Sequence, residues 1–165
     1  MDYSTDLTYN IATLRLYGVI DGKTIDVLAH SGGRGGTKTP GAKNFIIANN
    51  PFLTHHGLNE KLKNKGAVGG PLPMGTYTMT LHREKNKIRL NPTANVNMHG
   101  RSGGFLIHGR GPRGSDGCIV PEDFEIVKMI YNEVEKRIKD GISPMTIRIL
   151  AIGDIDYYQR LLSIV

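Results

Sequence analysis

A cysteine becomes a nucleophile when a nearby base or a positive field draws off its proton, and residues 105–121 hold the parts for this. Cys118 is the single cysteine of the 165-residue chain and sits in Gly114-Ser115-Asp116-Gly117-Cys118-Ile119-Val120. His108 stands ten positions upstream, closing the apolar run Phe105-Leu106-Ile107-His108-Gly109. A lone thiol forms no internal disulfide and no multi-cysteine zinc site. It is therefore either an inert buried thiol, the commoner fate of an isolated cysteine, or a nucleophile. The glycine-rich frame favours the nucleophile. A free thiol, with a pKa near 8.5, is mostly protonated at neutral pH, and a neighbouring histidine or a helix N-terminus supplies the activation. Gly117 permits a tight turn that exposes the N–H groups of Gly117 and Cys118 as an oxyanion hole. Asp116 is placed either to orient an imidazole or to form the turn, and Ser115 either to donate to a substrate carbonyl or to cap the turn.

Other residues qualify for supporting roles. His99, in Asn97-Met98-His99-Gly100-Arg101, is a rival base in a polar loop. Arg110 and Arg113 flank the turn between His108 and Cys118, where a guanidinium can pair a substrate carboxylate bidentately. Arg101 is a weaker candidate for the same task, as is Ser102. The neighbours His55 and His56 lack a third ligand at suitable spacing, so neither a metal nor a cofactor is expected.

Several elements must position these side chains. The first two-thirds of the chain reads as β-structure with loops, and Leu7 to Leu16 alternates over part of its length. Val19 to Ile25 reads as a hairpin turning at Asp21-Gly22, with Thr24 to Ala29 as the return strand. Residues 31–44 form a long glycine-rich loop, of a length that is usually functional or mobile. Gly69 to Met79 is a turn running into a strand, Ile88 to Pro92 ends another, and Phe105 to His108 reads as a buried strand. The one long helix is expected over Pro121 to Lys139, with Pro121 at its first position and Gly141 as C-cap. Its apolar face comprises Phe124, Val127, Ile130, Tyr131, Val134 and Ile138. Thr146 to Ile152 is a last strand, and Ile155 to Leu162 a short helix.

Composition bounds the function. The chain fits one domain, residues 1–165, and its hydrophobic (39%) and charged (22%) contents suit a globular protein. No apolar run approaches the roughly 20 residues of a membrane span, so membrane insertion is not expected. The polar N-terminus Met1-Asp2-Tyr3-Ser4-Thr5-Asp6 lacks the pattern of a signal peptide. A balance of 21 basic against 15 acidic residues gives +6, which favours an anionic partner. A nucleic acid is not expected, because basic blocks and interleaved aromatics are missing.

His-Gly followed by Ser-x-Gly-Cys-Ile resembles the signature of the YkuD-type L,D-transpeptidases. Gly70-Pro71-Leu72-Pro73-Met74-Gly75-Thr76-Tyr77 is similar to a Gly-Pro-x-Pro-x-Gly-x-Tyr segment of that family. The resemblance covers about residues 65 to 121. Three features depart from the main family: Asp116 stands where a second histidine is usual, the His-to-Cys spacing is short, and Val120 replaces an arginine. With these departures the chain resembles the compact branch that includes antibacterial effectors delivered by type VI secretion machines. Asn44-Phe45 to Asn49-Asn50-Pro51 and Ser31-Gly32-Gly33 are also similar to that branch.

The resemblance implies an α+β, mainly β fold, a sandwich or barrel with one long helix after the catalytic cysteine. It implies an L,D-transpeptidase or L,D-carboxypeptidase acting on peptidoglycan stem tetrapeptides at the diaminopimelate–D-alanine bond, through a Cys118 thioester, with His108 as base. The implied route is synthesis in a bacterial cytoplasm, export by a secretion-machine component and action in the periplasm of a target cell. A toxin of that kind requires an immunity protein. Two alternatives stay open. A papain-like or NlpC-type endopeptidase usually places cysteine before histidine, the reverse of the order here. A non-enzymatic basic glycan-binding β domain would make Ser-Asp-Gly-Cys an accident.

Overall fold

The structure, a computed structural model, describes residues 5–32, 49–54, 70–101, 103–109 and 117–163. Asp21 and Gly22 both adopt positive φ (49° and 75°), the two-residue turn whose twist matches paired strands. It joins β2 (Arg15–Ile20) to β3 (Lys23–Ser31) in an unbroken antiparallel ladder. The alternation expected from Leu7 to Leu16 belongs to two strands. β1 (Leu7–Asn10) ends in a turn where Leu14 takes φ 59°, and the chain doubles back to pair Leu7 with Gly18.

Further strands are β4 (Gly75–Leu81), β5 (Ile88–Pro92), β6 (Leu106–Ile107), β7 (Ile119–Pro121) and β8 (Thr146–Leu150). They close a barrel in the order β1-β2-β3-β7-β6-β5-β4-β8, sealed by the parallel pair β1 and β8. The protein is thus mainly β, and its strands form a closed barrel rather than two open sheets. Leu7, Tyr9, Leu16, Tyr77, Met79, Ile107, Ile119 and Ile147 point inward and are buried.

The long helix, α1, runs over Phe124–Asp140. The expected start at Pro121 is wrong. Pro121 ends β7 opposite Ala29, and Asp123 is the N-cap, its carboxylate accepting from the Glu125 N–H at 2.9 Å. The buried face of α1 is Ile126, Val127, Ile130 and Val134, whereas Phe124 and Ile138 are exposed. The expected stop holds. Gly141 has φ 66°, and the Gly141 and Ile142 N–H groups return to the Ile138 and Arg137 carbonyls.

Helix α1 packs on β4 and also touches β2, β5 and β7, strands on both sides of the ring. One helix achieves this by lying across a mouth of the barrel. The β2–β3 turn is at that mouth, where Lys136 faces Asp21 at 3.9 Å. The opposite mouth holds the end of β3, residues 49–54 with a 3-10 turn (Pro51–Leu53), and a second helix, α2 (Ile155–Leu162), packed on that turn. Among the described residues no helix is long and apolar enough to cross a membrane.

Candidate active site

Two short parallel strands carry the principal residues. In β6 and β7, Ile107 lies opposite Ile119, and both point into the core. Side chains alternate across a sheet, so Leu106 and His108 on one strand and Cys118 and Val120 on the other share the outer face. The His108 N–H donates to the Ile119 carbonyl at 3.1 Å, which holds the end of β6 against β7. Cys118 and His108 are therefore diagonal neighbours. One strand spacing sideways (~4.8 Å) and two residues along (~6.6 Å) puts their Cα atoms roughly 8 Å apart. Side chains leaning toward each other cover such a distance, and both residues are half-buried.

The imidazole is oriented. His108 Nδ1 lies 2.6 Å from the Gly109 carbonyl oxygen, which can only accept, so Nδ1 carries the proton. In the neutral ring Nε2 then has the free lone pair that a general base needs.

The sulfur has its own donor. The Phe105 carbonyl accepts from Leu90 N–H on β5 at 2.9 Å, so the other side of that peptide, the Leu106 N–H, faces β7. It donates to Cys118 Sγ at 3.3 Å.

Gly117 must be glycine. Its φ is +122°, and a Cβ there would sit 2.4 Å from Phe105 Cε1 and 2.8 Å from an Arg101 guanidinium nitrogen. Arg101 is built into the framework. Its guanidinium donates to the carbonyls of Thr54 (3.3 Å), Gly70 (3.0 Å) and Pro71, and stacks over the Phe105 ring at 4.9 Å. These bonds tie three chain segments together behind the cysteine turn.

His99 has φ 51°, with its N–H bonded to Asn97 Oδ1 at 2.9 Å, in the turn before Arg101. Ser102, Arg110, Arg113, Ser115 and Asp116 lie outside the described residues, as do His55, His56 and most of the glycine-rich loop. Ser31, expected at the start of that loop, instead ends β3 and is wholly buried. The expected help from the helix N-terminus is reduced. Helix α1 begins at Phe124, six residues after Cys118, and the dipole effect fades within the first turn.

Three residues emerge from long-range register alone. His30 on β3 lies opposite Val120, which places it on the same outer face and diagonal to Cys118 on the other side. Its Nε2 is 2.9 Å from Glu122 Oε1. Ser31 Oγ donates to the Gly117 carbonyl at 2.9 Å and accepts from the Leu72 N–H at 3.2 Å. Asn49, buried with φ 57°, exchanges bonds with the Ser31 backbone, giving its own N–H to the Ser31 carbonyl (2.8 Å) and accepting the Ser31 N–H on Oδ1 (3.0 Å). The Asn49 amide also donates to the Tyr9 hydroxyl and to the Ile11 carbonyl. Burial pushes the Tyr9 phenol far above its ordinary value, against a smaller opposing effect of Asn49, so it stays a donor, to the Ala29 carbonyl at 3.0 Å.

Among the described residues no cluster of three or more histidine, cysteine or acidic side chains could hold a metal ion. The chain matches no protein-family model, no curated protein and no solved structure.

Proposed function

We propose that this protein is a cysteine enzyme of the L,D-transpeptidase or L,D-carboxypeptidase kind, acting on peptidoglycan stem tetrapeptides. The observation that carries this reading is the register that sets Cys118 and His108 diagonally on one outer face of adjoining parallel strands. Cys118 as thiolate attacks the carbonyl joining third-position diaminopimelate to fourth-position D-alanine. His108, its Nδ1–H held by Gly109, receives the thiol proton on Nε2 and delivers it to the departing D-alanine amine. The N–H groups of Gly117 and Cys118 steady the oxyanion. Water, a D-amino acid or the amine of another stem then resolves the thioester. The closed mainly β barrel, with one long helix after Cys118, is compatible with the architecture that the Ser-x-Gly-Cys resemblance implies, and the charge of +6 suits an anionic wall polymer. Delivery by a secretion machine into a target periplasm, countered by an immunity protein, belongs to the same reading.

Mass spectrometry of purified muropeptides incubated with the protein tests it. Tetrapeptide shortened to tripeptide is expected, or tetrapeptide with an exchanged terminal residue when a D-amino acid is supplied. Cys118→Ala abolishes the change, and His108→Ala slows it by about 10²–10⁴-fold. Muropeptides left unchanged by wild type would overturn the assignment.

A further inference from the structure

The nucleophile turn contains a departure from regular parallel pairing. In the β6–β7 ladder the His108 N–H donates to the Ile119 carbonyl. A parallel ladder repeats every two residues, so the preceding donor, the Leu106 N–H, would ordinarily be aimed at the Gly117 carbonyl. The pairing instead stops at Ile107 and Ile119. The Gly117 carbonyl accepts from Ser31 Oγ at 2.9 Å, and the Leu106 N–H donates to Cys118 Sγ at 3.3 Å. Ser31 has no exposed surface, and its backbone is locked to Asn49 in both directions. Its hydroxyl is also fixed as a donor to Gly117, because it accepts from the Leu72 N–H.

We infer that Ser31 is a positioning residue for the nucleophile. By holding the Gly117 carbonyl, it directs the Leu106 N–H to the Cys118 sulfur, where that N–H favours the thiolate. The inference rests on the reading of Cys118 as nucleophile. A hydrogen bond to a charged acceptor is stronger than one to a neutral acceptor, so the Leu106 N–H stabilises the anion more than the thiol and lowers the thiol pKa. Ser31 never touches substrate in this scheme and acts only through two peptide groups.

The experiment is the pH profile of Cys118 alkylation by iodoacetamide, on the full chain. In wild type the apparent pKa lies below the ~8.5 of a free cysteine. In Ser31→Ala it rises by about one unit, which slows alkylation near neutral pH roughly tenfold, while the limiting rate at high pH stays unchanged. A depressed wild-type pKa that Ser31→Ala leaves in place overturns the inference and spares the nucleophile. So does a variant that only raises the limiting rate, the mark of a loosened structure. A wild-type thiol titrating like free cysteine removes the nucleophile reading and this inference with it. If Ser31→Ala fails to fold, wild-type protein still decides. The Leu106 amide proton shift must follow the thiol titration in NMR spectra, and a Leu106 resonance that stays still while the thiol titrates overturns the inference.

Discussion

Substituting Gly117 by alanine tests the framework behind the cysteine most directly. At φ +122° an L-residue is strained, at a cost of about 1–3 kcal/mol. The added Cβ would also lie 2.4 Å from Phe105 Cε1, and the ring has little room to retreat. Phe105 is 5% exposed, and the same Cβ would lie 2.8 Å from the Arg101 guanidinium that stacks on that ring. Overpacking of this kind costs a further ~1–3 kcal/mol. The sum, about 2–6 kcal/mol, is a large part of the roughly 5–15 kcal/mol that stabilises a typical domain. Gly22→Ala is the control. Its φ is +75° and nothing lies within 4 Å of the new Cβ, so it carries strain without a clash. Urea denaturation of wild type and both variants separates the two contributions, and iodoacetamide alkylation reports whether Cys118 has moved. Gly117→Ala is expected to lose about 1–3 kcal/mol more than Gly22→Ala and to alter the alkylation rate. Equal losses in the two variants, with alkylation of Cys118 unchanged, would refute the close approach of Gly117 to Phe105.

Two more outcomes follow from the geometry. Asp6 joins the N-terminal strand to helix α1 and β8, accepting from Arg137 (2.8 and 3.1 Å), the Thr146 N–H (2.9 Å) and the Thr146 hydroxyl (3.1 Å). Burial pushes its carboxyl up, but Arg137 and Thr146 together outweigh this and hold it below the usual carboxylate range. Its contribution is therefore complete above about pH 4 and disappears as pH falls through the lower folded value. Asp6→Asn should cost about 1–2 kcal/mol near neutral pH, with the gap to wild type narrowing toward pH 2 in urea titrations. A gap independent of pH would contradict the assignment. Arg101→Lys removes a fork that serves three carbonyls and a ring, and one ammonium cannot reach them all. A loss of about 1–3 kcal/mol is expected in the same assay, and a variant as stable as wild type would show that the fork is dispensable.

Local chemistry made some of this legible in the sequence. Asp21-Gly22 announced its turn, Gly141 its helix stop, and the apolar run before His108 its strand. His108 and Cys118 stood out in the sequence because one ends and the other begins a short apolar segment beside a glycine. Pro121 misled because proline suits a helix start equally well as the end of a strand. Only the pairing with Ala29 decides between the two, and that partner is remote in sequence. The apolar face of α1 centres on Val127, Ile130 and Val134 as expected, but Ile126 completes it, whereas Phe124 and Ile138 are exposed. Ser31 and Asn49 entered only through short resembling segments, and nothing local marked their roles or that of His30. A buried serine at a strand end and a serine in a glycine-rich loop look alike until the register of β3 against β7 is known. The parallel closure of β1 on β8 likewise leaves no local mark.

That closure has a consequence for when the protein can work. Among the described strands β8 is made last, and it fills the gap between β1 and β4, pairing Leu7 with Ile147 and Tyr77 with the same residue. Until residues 146–150 are made, the first strand has only half its partners and the ring stays open. Contacts between such distant positions also form late, after the entropy of a very long loop has been overcome. The Cys118 turn is braced by Asn49 and Tyr9, which belong to the part of the barrel that β1 completes. A nascent or truncated chain lacking β8 should therefore carry the thiol without its framework, which is complete only once β8 has paired with β1 and β4.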